Sequence, residues 1–472
     1  MKMEFEIISK ENIKPSSPTP HHQKTHKLSL LDQIVPPIYV PLVLYYPNLE
    51  NKSPQNPKSI TQTLKNSLSS TLTHFYPLAG RIKDKLSIDC NDEGVPFTVA
   101  TFETNLSDFL KYPDPETCRA HIPTQLTWAE PGPRSNVAMI QVNYFKCGGV
   151  AIGSLFLHKV ADGVTVGAFM KSWAENAINL EERLGPDYSA QSFFPQNEEM
   201  TRETHLFSGM RKYFKFGKTV MRRYVFDAES ISSIRSKLAE KGPIKRGPTR
   251  VETVSAFIWK CFMLASFEKN KKSISENNNN NNNNNNINTK ISLVMHGVNM
   301  RRKNEPPFPD NSFGNFVWLV PASSNNNNEL DRDLKNLFEK VRSAIGKVDV
   351  DFVKKMQGED GFSGYCENLE ESWSEFHEKA DYLAISSWCN FGLYDIDFGL
   401  GKPLWITKCD AGSKVDWPFI NVLWLMDTPR GDGIEAWLTL DENYVVEFDK
   451  IQEVRDLARI DPSPLDIAGT EL

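Results

Sequence analysis

Apolar residues recur at two periods along this chain, and the longer period predicts helices. From Leu64 to Leu72, leucine returns at every fourth position within residues 60–75, which puts the leucines on one helical face. A turn rich in Pro and Gly follows directly and would stop this helix. Apolar positions at helical spacing also predict helices over residues 164–178 and 252–264.

Apolar runs and strict alternation predict strands between these helices. Residues 136–145 alternate apolar and polar side chains, which predicts a half-buried strand. A turn at Gly148 and Gly149 leads into the apolar run Val150–Leu157, so the two segments are predicted to form a hairpin. Three more strands are predicted in the second half of the chain, over residues 291–298, 421–426 and 434–440. Because strands and helices alternate in both halves, we predict an α/β fold.

Residues 185–223 have neither period and become polar and then basic, which indicates a boundary between two domains. We predict an N-terminal domain of residues 1–200, a crossover linker of residues 201–223 and a C-terminal domain of residues 224–472. The basic residues of the linker are more typical of a solvated segment than of a binding patch.

Two runs of asparagine, at residues 277–286 and 325–328, contain no core-forming side chains. Polar surface loops tolerate such insertions at a small entropic cost. We therefore predict that both runs are surface loops, and we assign no function to them.

Composition narrows the class of protein. The 472 residues carry a net charge of −6 and a pI near 5.9, so the charge balance does not indicate nucleic-acid binding. The seven cysteines form no C-x-x-C pair, and we expect no metal site and a reducing compartment. The N-terminus has no signal-peptide pattern, and no apolar stretch approaches the length of a membrane span. We therefore expect a cytoplasmic protein without membrane partners.

One of the nine histidines has the surroundings of a functional residue. His158 follows the predicted strand Val150–Leu157 and precedes Asp162 by four residues, a place where an imidazole can take a proton near neutral pH. His377 precedes Asp381 at the same spacing, but its polar, acidic neighbours predict an exposed amphipathic helix. Context therefore favours His158 as functional. The alternative is a core histidine with satisfied hydrogen bonds.

Several ordered motifs make the sequence similar to the BAHD family of plant acyl-CoA-dependent acyltransferases. His158–Gly163 reads H-K-V-A-D-G and matches the family's catalytic motif, and Asp397–Pro403 matches its D-F-G-W-G motif. Further matching blocks lie at residues 74–81, 251–260, 299–302 and 386–389. The resemblance covers nearly the whole chain. It is nearest to the vinorine synthase branch, which includes alkaloid and terpenoid acetyltransferases and acylsugar acyltransferases.

The resemblance implies two similar mixed-sheet domains of the CoA-dependent acyltransferase type, as in chloramphenicol acetyltransferase, with an active-site tunnel between them. It implies transfer of an acyl group, with acetyl preferred, from acyl-CoA to a hydroxyl of an alkaloid, terpenoid or acylsugar. Acyl-CoA is then a co-substrate, a small hydroxylated acceptor is the second partner, and no cofactor is bound permanently. A monomer is expected for this family.

The resemblance makes His158 the general base that acts on the acceptor hydroxyl, without a covalent enzyme intermediate. Asp162 has two interpretations. If both residues lay on one helix, they would share a face and could form a catalytic dyad. The resemblance instead turns Asp162 away from the site and pairs it with Arg301, which is the interpretation we favour.

Trp388 and Ser386 match family positions beside the reacting carbonyl, where the donor-only indole N–H suits an oxyanion. The alternative for Trp388, a residue of the apolar core, is equally well supported. The remaining motif residues receive structural roles from the resemblance, and they are Gly163, Asp397, Phe398, Gly399 and Gly401.

The second motif departs from the family pattern at one position, where Leu400 replaces a tryptophan. The family places this motif away from the reacting atoms, so we expect activity to survive with looser packing of the loop. Asp397 is expected to hold the loop through an arginine, and the two glycines are expected to serve the backbone.

The phosphates of CoA require a basic region with free amide groups. Candidates surround a Gly-Pro turn in the second half of the chain, and they are Lys245, Arg246, Thr249 and Arg250. A charged surface loop has the same appearance in a sequence, so this assignment has a plain alternative.

Three rival functions remain open. The first is a longer or branched acyl donor, or an amine acceptor. The second is a non-catalytic relative that keeps the fold for binding or regulation. The third is the condensation chemistry of peptide synthetases, which needs a carrier-protein partner and usually a doubled histidine. Leu157 precedes His158 here, which counts against the third.

Overall fold

Two mixed β-sheets, each accompanied by helices, form the two halves of the molecule. They are seen in a computed structural model that describes residues 4–48, 56–123, 132–180, 185–200, 212–238, 246–277, 291–326, 328–377, 380–409 and 419–469.

The strands, in chain order, are β1 (Phe5–Ile13), β2 (Thr25–Lys27), β3 (Tyr39–Tyr46), β4 (Arg81–Ile82), β5 (Ser87–Asp89), β6 (Val95–Phe102), β7 (Ala138–Phe145), β8 (Val150–Leu157), β9 (Thr219–Phe226), β10 (Ile291–Asn299), β11 (Val317–Asn325), β12 (Asp381–Ser387), β13 (Trp405–Thr407), β14 (Val422–Asp427), β15 (Ile434–Asp441) and β16 (Arg459–Ile460). The helices are α1 (Leu30–Gln33), α2 (Pro57–His74), α3 (Leu106–Lys111), α4 (Pro115–Cys118), α5 (Gly163–Ala177), α6 (Ala190–Phe193), α7 (Ala228–Leu238), α8 (Arg250–Asn277), α9 (Leu334–Lys347), α10 (Val350–Lys355), α11 (Gly361–Ser374), α12 (Glu442–Phe448), α13 (Gln452–Leu457) and α14 (Pro464–Ala468).

Within these described ranges, the first sheet has six strands in the spatial order β1, β6, β7, β8, β3, β13. The second has seven, in the order β11, β10, β12, β14, β15, β9, β16. Strands β6 and β7 run parallel in the first sheet, and β10, β12 and β14 run parallel in the second, while the other neighbours are antiparallel. Both sheets are therefore mixed, and the predicted α/β fold is confirmed.

The predicted amphipathic helix is α2, and its apolar face packs on α5. Leu64, Leu68 and Leu72 are buried, as their spacing predicts. Trp173 of α5 reaches across and donates its indole N–H to the main-chain oxygen of Leu64 at 3.0 Å. This packing fixes α5, whose first residue directly follows Asp162.

The β7–β8 hairpin is present, but the prediction that its first strand is half-buried is wrong. Gln141 and Asn143 of β7 are both buried. The turn around Ala120 and His121 covers their side of the sheet. The Gln141 amide donates to the Ala120 carbonyl at 2.8 Å, and the Asn143 amide donates to the His121 carbonyl at 2.9 Å. These polar side chains are thus buried because they satisfy the carbonyls of the covering segment.

The two halves exchange chain segments, which the predicted domain boundaries do not capture. Strand β13, from the second half of the chain, pairs with β3 in the first sheet through partners such as Trp405 and Tyr45. Leu30 and Leu31, from the start of the chain, belong to the core of the second sheet. Strand β9 begins at Thr219, inside the segment predicted as a linker.

Some of the described asparagines of the two runs do not lie in loops. Helix α8 continues to Asn277, and residues 278–286 lie outside the described part of the chain. Asn325 ends strand β11, and Asn326 is buried. The Asn326 amide donates to the Met263 carbonyl at 2.9 Å and its side-chain oxygen accepts from Arg332 at 3.0 Å. The surface-loop prediction is therefore wrong for Asn277, Asn325 and Asn326.

Among the described residues, no helix is both long enough and apolar enough to cross a lipid bilayer.

Substitution of Gly153 tests the close approach of the covering turn to β8. A Cβ atom there would overlap the main-chain oxygen of His121. We expect Gly153→Ala to lower the free energy of unfolding by about 1–3 kcal/mol, because backbone must move to relieve the overlap. Gly346→Ala in α9 is the control, since nothing lies within 4 Å of its added methyl group. Thermal unfolding midpoints measure both, and equal midpoints for the two variants would contradict the predicted packing.

Candidate active site

The candidate site forms where strand ends from both sheets meet. Strand β8 of the first sheet ends at Leu157 and delivers His158. In the second sheet, β10 and β12 are parallel neighbours, so that their carboxyl ends lie at the same edge. Arg301 follows the end of β10 and Trp388 follows the end of β12. The sequence motifs, which are far apart in the chain, are thereby brought to one place.

A buried ion pair joins the two halves at this edge. Nη1 of Arg301 donates to Oδ2 of Asp162 at 2.7 Å, and Nη2 donates to Oδ1 at 3.1 Å. Both residues are buried, with Arg301 at 0% exposure and Asp162 at 7%. The same guanidinium donates to the main-chain oxygens of Ser312 at 2.9 Å and Gly314 at 3.3 Å. The expected pairing of Asp162 with Arg301 is therefore present, and its geometry is bidentate.

The Asp162 carboxylate has a second set of donors from the main chain. It caps helix α5 by accepting from the Thr165 amide at 2.9 Å, and it accepts from the Phe316 amide at 3.0 Å. Burial alone would raise the pKa of Asp162, but Arg301 and the two amides lower it below its ordinary value. No hydrogen bond joins it to the His158 ring among the described residues. The geometry supports the structural interpretation of Asp162 and not the dyad.

The His158 ring is held by Asn315. The Asn315 side-chain amide donates to the main-chain oxygen of His158 at 2.8 Å and to Oδ1 of Asp32 at 2.9 Å. Its oxygen therefore faces Nδ1 of His158, at 3.2 Å. An amide oxygen is only an acceptor, so Nδ1 carries the proton and Nε2 keeps its lone pair. This is the tautomer that a general base requires if it acts through Nε2.

Asp32 fixes the orientation of the Asn315 amide. It is buried and forms a capping box with Ser29, whose amide donates at 2.9 Å and whose hydroxyl donates at 2.7 Å. Its other oxygen accepts from the main-chain and side-chain amides of Asn315. Burial raises the pKa of Asp32, while the bonds from Ser29 and Asn315 oppose this rise. A chain of hydrogen bonds thus leads from Asp32 through Asn315 to His158.

The surroundings of His158 keep its imidazole neutral. Burial lowers the pKa of His158 below its ordinary value, and the charge of Lys408 lowers it further. The contact with its own main-chain oxygen, the Asp162 carboxylate and the Asn315 side chain oppose this effect without reversing it. These surroundings therefore favour the neutral imidazole, which is the form that can take a proton.

Trp388 packs directly on the start of α5, the helix that begins at Gly163. A Cβ atom on Gly163 would lie 2.9 Å from the Trp388 ring and 2.7 Å from Phe391, so only glycine fits there without displacement. Trp388 is 6% exposed, and its main-chain amide donates to the Leu425 carbonyl at 2.7 Å. Ser386 lies on β12, half-buried. The acyl-site role of Trp388 and Ser386 stays a prediction.

Asp397 holds the loop of the second motif, and none of the arginines in the described ranges is hydrogen-bonded to it, so its arginine partner stays a prediction. Oδ1 of Asp397 accepts from the amides of Gly399 at 2.7 Å and Gly401 at 2.9 Å. Both glycines have positive φ, at 81° and 83°, which a residue with a side chain rarely adopts. Phe398 is buried in the hydrophobic core around the first sheet. Leu400 is half-buried and packs against the same core. The carboxylate thus holds the turn through the amides of its own loop.

The candidate CoA-binding residues are engaged in several different ways. Lys245 lies outside the described residues. Thr249 caps the first turn of α8, and the guanidinium of Arg250 donates to Asp427 at 3.1 Å. Arg246 is exposed. The structure therefore gives Thr249 and Arg250 roles within the protein, and CoA binding stays a prediction for the group.

The second H-x-x-x-D match is not a site. His377 is exposed and lies beyond the end of α11, not on a helix as predicted. Asp381 is buried at the start of β12, where it accepts hydrogen bonds from Ser266 and, at 2.7 Å, from the Tyr444 hydroxyl. Its carboxylate serves the core of the second half. Within the described ranges, no three His, Cys, Asp or Glu residues are placed to hold a metal ion.

Sequence reasoning missed three residues around His158. Asn315 received no role from the sequence, although it follows Arg301 by only fourteen positions. Asp32 ends the segment S-L-L-D, whose capping-box spacing was a usable signal. Lys408 had no signal, because its neighbours in space come from other parts of the chain.

The profile of a family described as the Transferase family matches residues 3–455. A limonoid 7-O-acetyltransferase of Citrus sinensis is 39% identical over 477 residues, which cover 98% of this chain and 100% of that protein. Salutaridinol 7-O-acetyltransferase of Papaver somniferum is 33% identical over 491 residues, covering 96% and 98%. The crystal structure of vinorine synthase superposes with a TM-score of 0.77 at 29% identity, covering 98% and 99%.

The two mixed sheets and the motif residues at their meeting edge define an acyltransferase of the CoA-dependent, two-domain type. The chain belongs to the Transferase family, the BAHD acyltransferases, and the family predicted from the motifs is confirmed.

Replacement of Arg301 tests the buried pair. Arg301→Met leaves the Asp162 carboxylate buried without its partner, and we expect a loss of about 3–5 kcal/mol in the free energy of unfolding. Because the pKa of Asp162 is lowered in the folded state, the contribution of the pair is complete above its unfolded pKa and is lost as the pH falls through the folded value.

Arg302→Met is the matched control, since Arg302 pairs with Asp310 in solvent at 78% side-chain exposure. Urea denaturation at pH 7 compares the two variants. We expect no measurable change for the control. A loss for Arg301→Met no larger than that of Arg302→Met would show that the buried pair does not hold the halves together.

Proposed function

We propose that this protein transfers an acetyl group from acetyl-CoA to a hydroxyl of a specialised metabolite, with His158 as general base. The observation that carries the proposal is the buried His158 imidazole, whose Nδ1 is held by the Asn315 side chain at the edge where both halves meet. Nε2 can take the hydroxyl proton as the oxygen attacks the thioester carbonyl, and can then return it to the departing CoA thiolate.

The developing negative charge on the carbonyl oxygen needs a donor. We assign this role to the indole N–H of Trp388, which follows β12, with Ser386 near the end of that strand. The packing of Trp388 against Gly163 at the start of α5 supports the assignment for Trp388. Asp162 contributes by holding the motif in place, and not by exchanging a proton.

Direct transfer in a tunnel between the halves explains why no enzyme nucleophile is required. Two substrates that meet in line at one base react without a covalent intermediate, provided that water is excluded. We infer that CoA enters from one side, with Arg246 as a candidate for its phosphates. The acceptor enters from the other side.

The relatives suggest the class of acceptor. The limonoid 7-O-acetyltransferase of Citrus sinensis is more similar to this chain than the salutaridinol enzyme, at 39% against 33% identity. We therefore place a hydroxylated terpenoid ahead of an alkaloid or an acylsugar. We also propose that the protein is a monomer and is located in the cytoplasm.

Acetyl transfer is tested with purified protein, acetyl-CoA and a panel of hydroxylated triterpenoids, alkaloids and partially acylated sugars. Wild type is expected to release CoA thiol and to add one acetyl group to an acceptor, read by mass. His158→Ala should lose at least about 100-fold in rate, because the hydroxyl loses its base.

His377→Ala is the control, because His377 has the same spacing to an aspartate but is exposed. It should retain the wild-type rate. Equal rates for His158→Ala and wild type would exclude His158 as the base. Thiol release that needs no acceptor would indicate hydrolysis, and a folded protein without any release would favour a non-catalytic relative.

A further inference from the structure

The turn that follows β12 presents Trp388 to the candidate site. The main-chain amide of Trp388 continues the pairing of β12 with β14 by donating to the Leu425 carbonyl at 2.7 Å. Two residues later the chain turns at Asn390, whose φ of 65° lies in the left-handed region. Asparagine tolerates this region better than most residues with a side chain. The direction in which the chain leaves Trp388 is therefore set at Asn390.

Asp427, the last residue of β14, holds the main chain at Asn390. Its Oδ2 accepts from the main-chain amide of Asn390 at 2.6 Å. Its Oδ1 accepts from Nη2 of Arg250 at 3.1 Å. Burial raises the pKa of Asp427, and the amide of Asn390 and the charge of Arg250 oppose this rise. Both donors thus stabilise the carboxylate form of Asp427, which is the form that holds the turn.

Arg250, the first residue of α8, joins this carboxylate to two further parts of the chain. Its Nη2 also donates to the side-chain oxygen of Asn390 at 3.2 Å. Its Nη1 donates to the main-chain oxygens of Gly431 and, at 3.3 Å, of Gly433, in the turn between β14 and β15. A guanidinium suits this place because its donors point in fixed directions. Arg250 therefore ties the start of α8, the β14–β15 turn and the turn after β12 to one another.

The same turn contacts the helix that begins beside the candidate base. The rings of Trp388 and Phe391 pack on Gly163, and the Phe391 carbonyl lies 3.5 Å from a Cβ atom placed on Gly167. Helix α5 carries no side chain at these two positions, so the turn can approach it closely. The packing on α5 and the hydrogen bonds at Asn390 together leave little freedom for the indole of Trp388.

We propose that Arg250 is a positioning residue for acyl transfer: together with Asp427 it holds the turn that places the indole N–H of Trp388 beside the reacting carbonyl. The inference rests on the proposed function, in which Trp388 stabilises the developing charge. A donor of this kind must lie within about 0.5 Å of the productive geometry, and removal of one lowers the rate by a factor of about 10²–10³. The sequence made Arg250 a candidate for CoA binding, and the two roles predict different kinetics.

The experiment is a double-mutant cycle between Arg250→Met and Trp388→Phe. Methionine keeps an unbranched apolar chain without the donors, and phenylalanine keeps an aromatic ring without the N–H. The rate constant of acetyl transfer is measured in a single turnover, with saturating enzyme in excess of acetyl-CoA and with the alcohol that wild type acetylates best. This separates the chemical step from product release and is unaffected by a fraction of unfolded protein. The affinity for CoA is measured by calorimetry.

Arg250→Met is expected to lower this rate constant about tenfold in the wild-type background. In the Trp388→Phe background it should lower the rate constant less than about twofold, because the N–H that Arg250 positions is then already absent. The affinity for CoA should stay unchanged in both backgrounds.

Arg222→Met is the matched control, because Arg222 also pairs with carboxylates of the second half, Asp449 at 3.4 Å and Asp461 at 2.9 Å, but lies on β9. It should retain the wild-type rate constant. Asp427→Asn is the second variant, and it places an amide NH₂ group against one of the two donors that Asp427 accepts from. It should reproduce the result of Arg250→Met, and it decides the case if Arg250→Met does not fold.

Three outcomes overturn this inference while wild type still transfers acetyl. The first is an equal loss in both backgrounds, since Arg250 would then act independently of the indole. The second is weaker CoA binding with an unchanged rate constant, which is the behaviour of a CoA-binding residue. The third is a wild-type rate constant in Trp388→Phe. Absence of acetyl transfer by wild type to every acceptor is a separate result, and it would overturn the proposed function together with this inference.

Discussion

The bidentate ion pair between Asp162 and Arg301 is the interaction on which the rest of the site depends. Each charge would be very costly to bury alone, and the pair is stable only because every oxygen of the carboxylate and several donors of the guanidinium are satisfied. Its partners come from both halves of the molecule, at the ends of β8 and β10. The pair therefore sets where the first sheet meets the second.

The base is built next to this pair but not from it. The carboxylate that follows His158 by four residues is fully used by Arg301 and by two main-chain amides, which leaves the imidazole to a neutral partner. Asn315 supplies that partner and is itself oriented by Asp32. A neutral amide fixes the tautomer without stabilising the imidazolium as a carboxylate would. Burial and Lys408 then keep the ring unprotonated, which suits a base that starts each turnover without a proton.

How much of this site the sequence predicts depends on how far apart in the chain the contacting residues lie. The apolar run Val150–Leu157 and the spacing of the motif residues are local, and they predict the hairpin, its end and His158. The Asp162–Arg301 pair and the family were reached through resemblance, since no local pattern joins residues 139 positions apart. Burial of Gln141 and Asn143 was not predictable, because it depends on a turn that covers the sheet from elsewhere. The exchange of β13, and with it the place of Lys408, is likewise a long-range pairing.

The most direct test of this account is the protonation state of His158, read from the nitrogen chemical shifts of its imidazole. Protein labelled with ¹⁵N-histidine is titrated, and the His158 signals are assigned by their loss in His158→Gln. The account predicts a proton on Nδ1, a bare Nε2 and a midpoint below the ordinary value of about 6.5. A proton on Nε2 in the neutral ring, or a midpoint above that value, would contradict it.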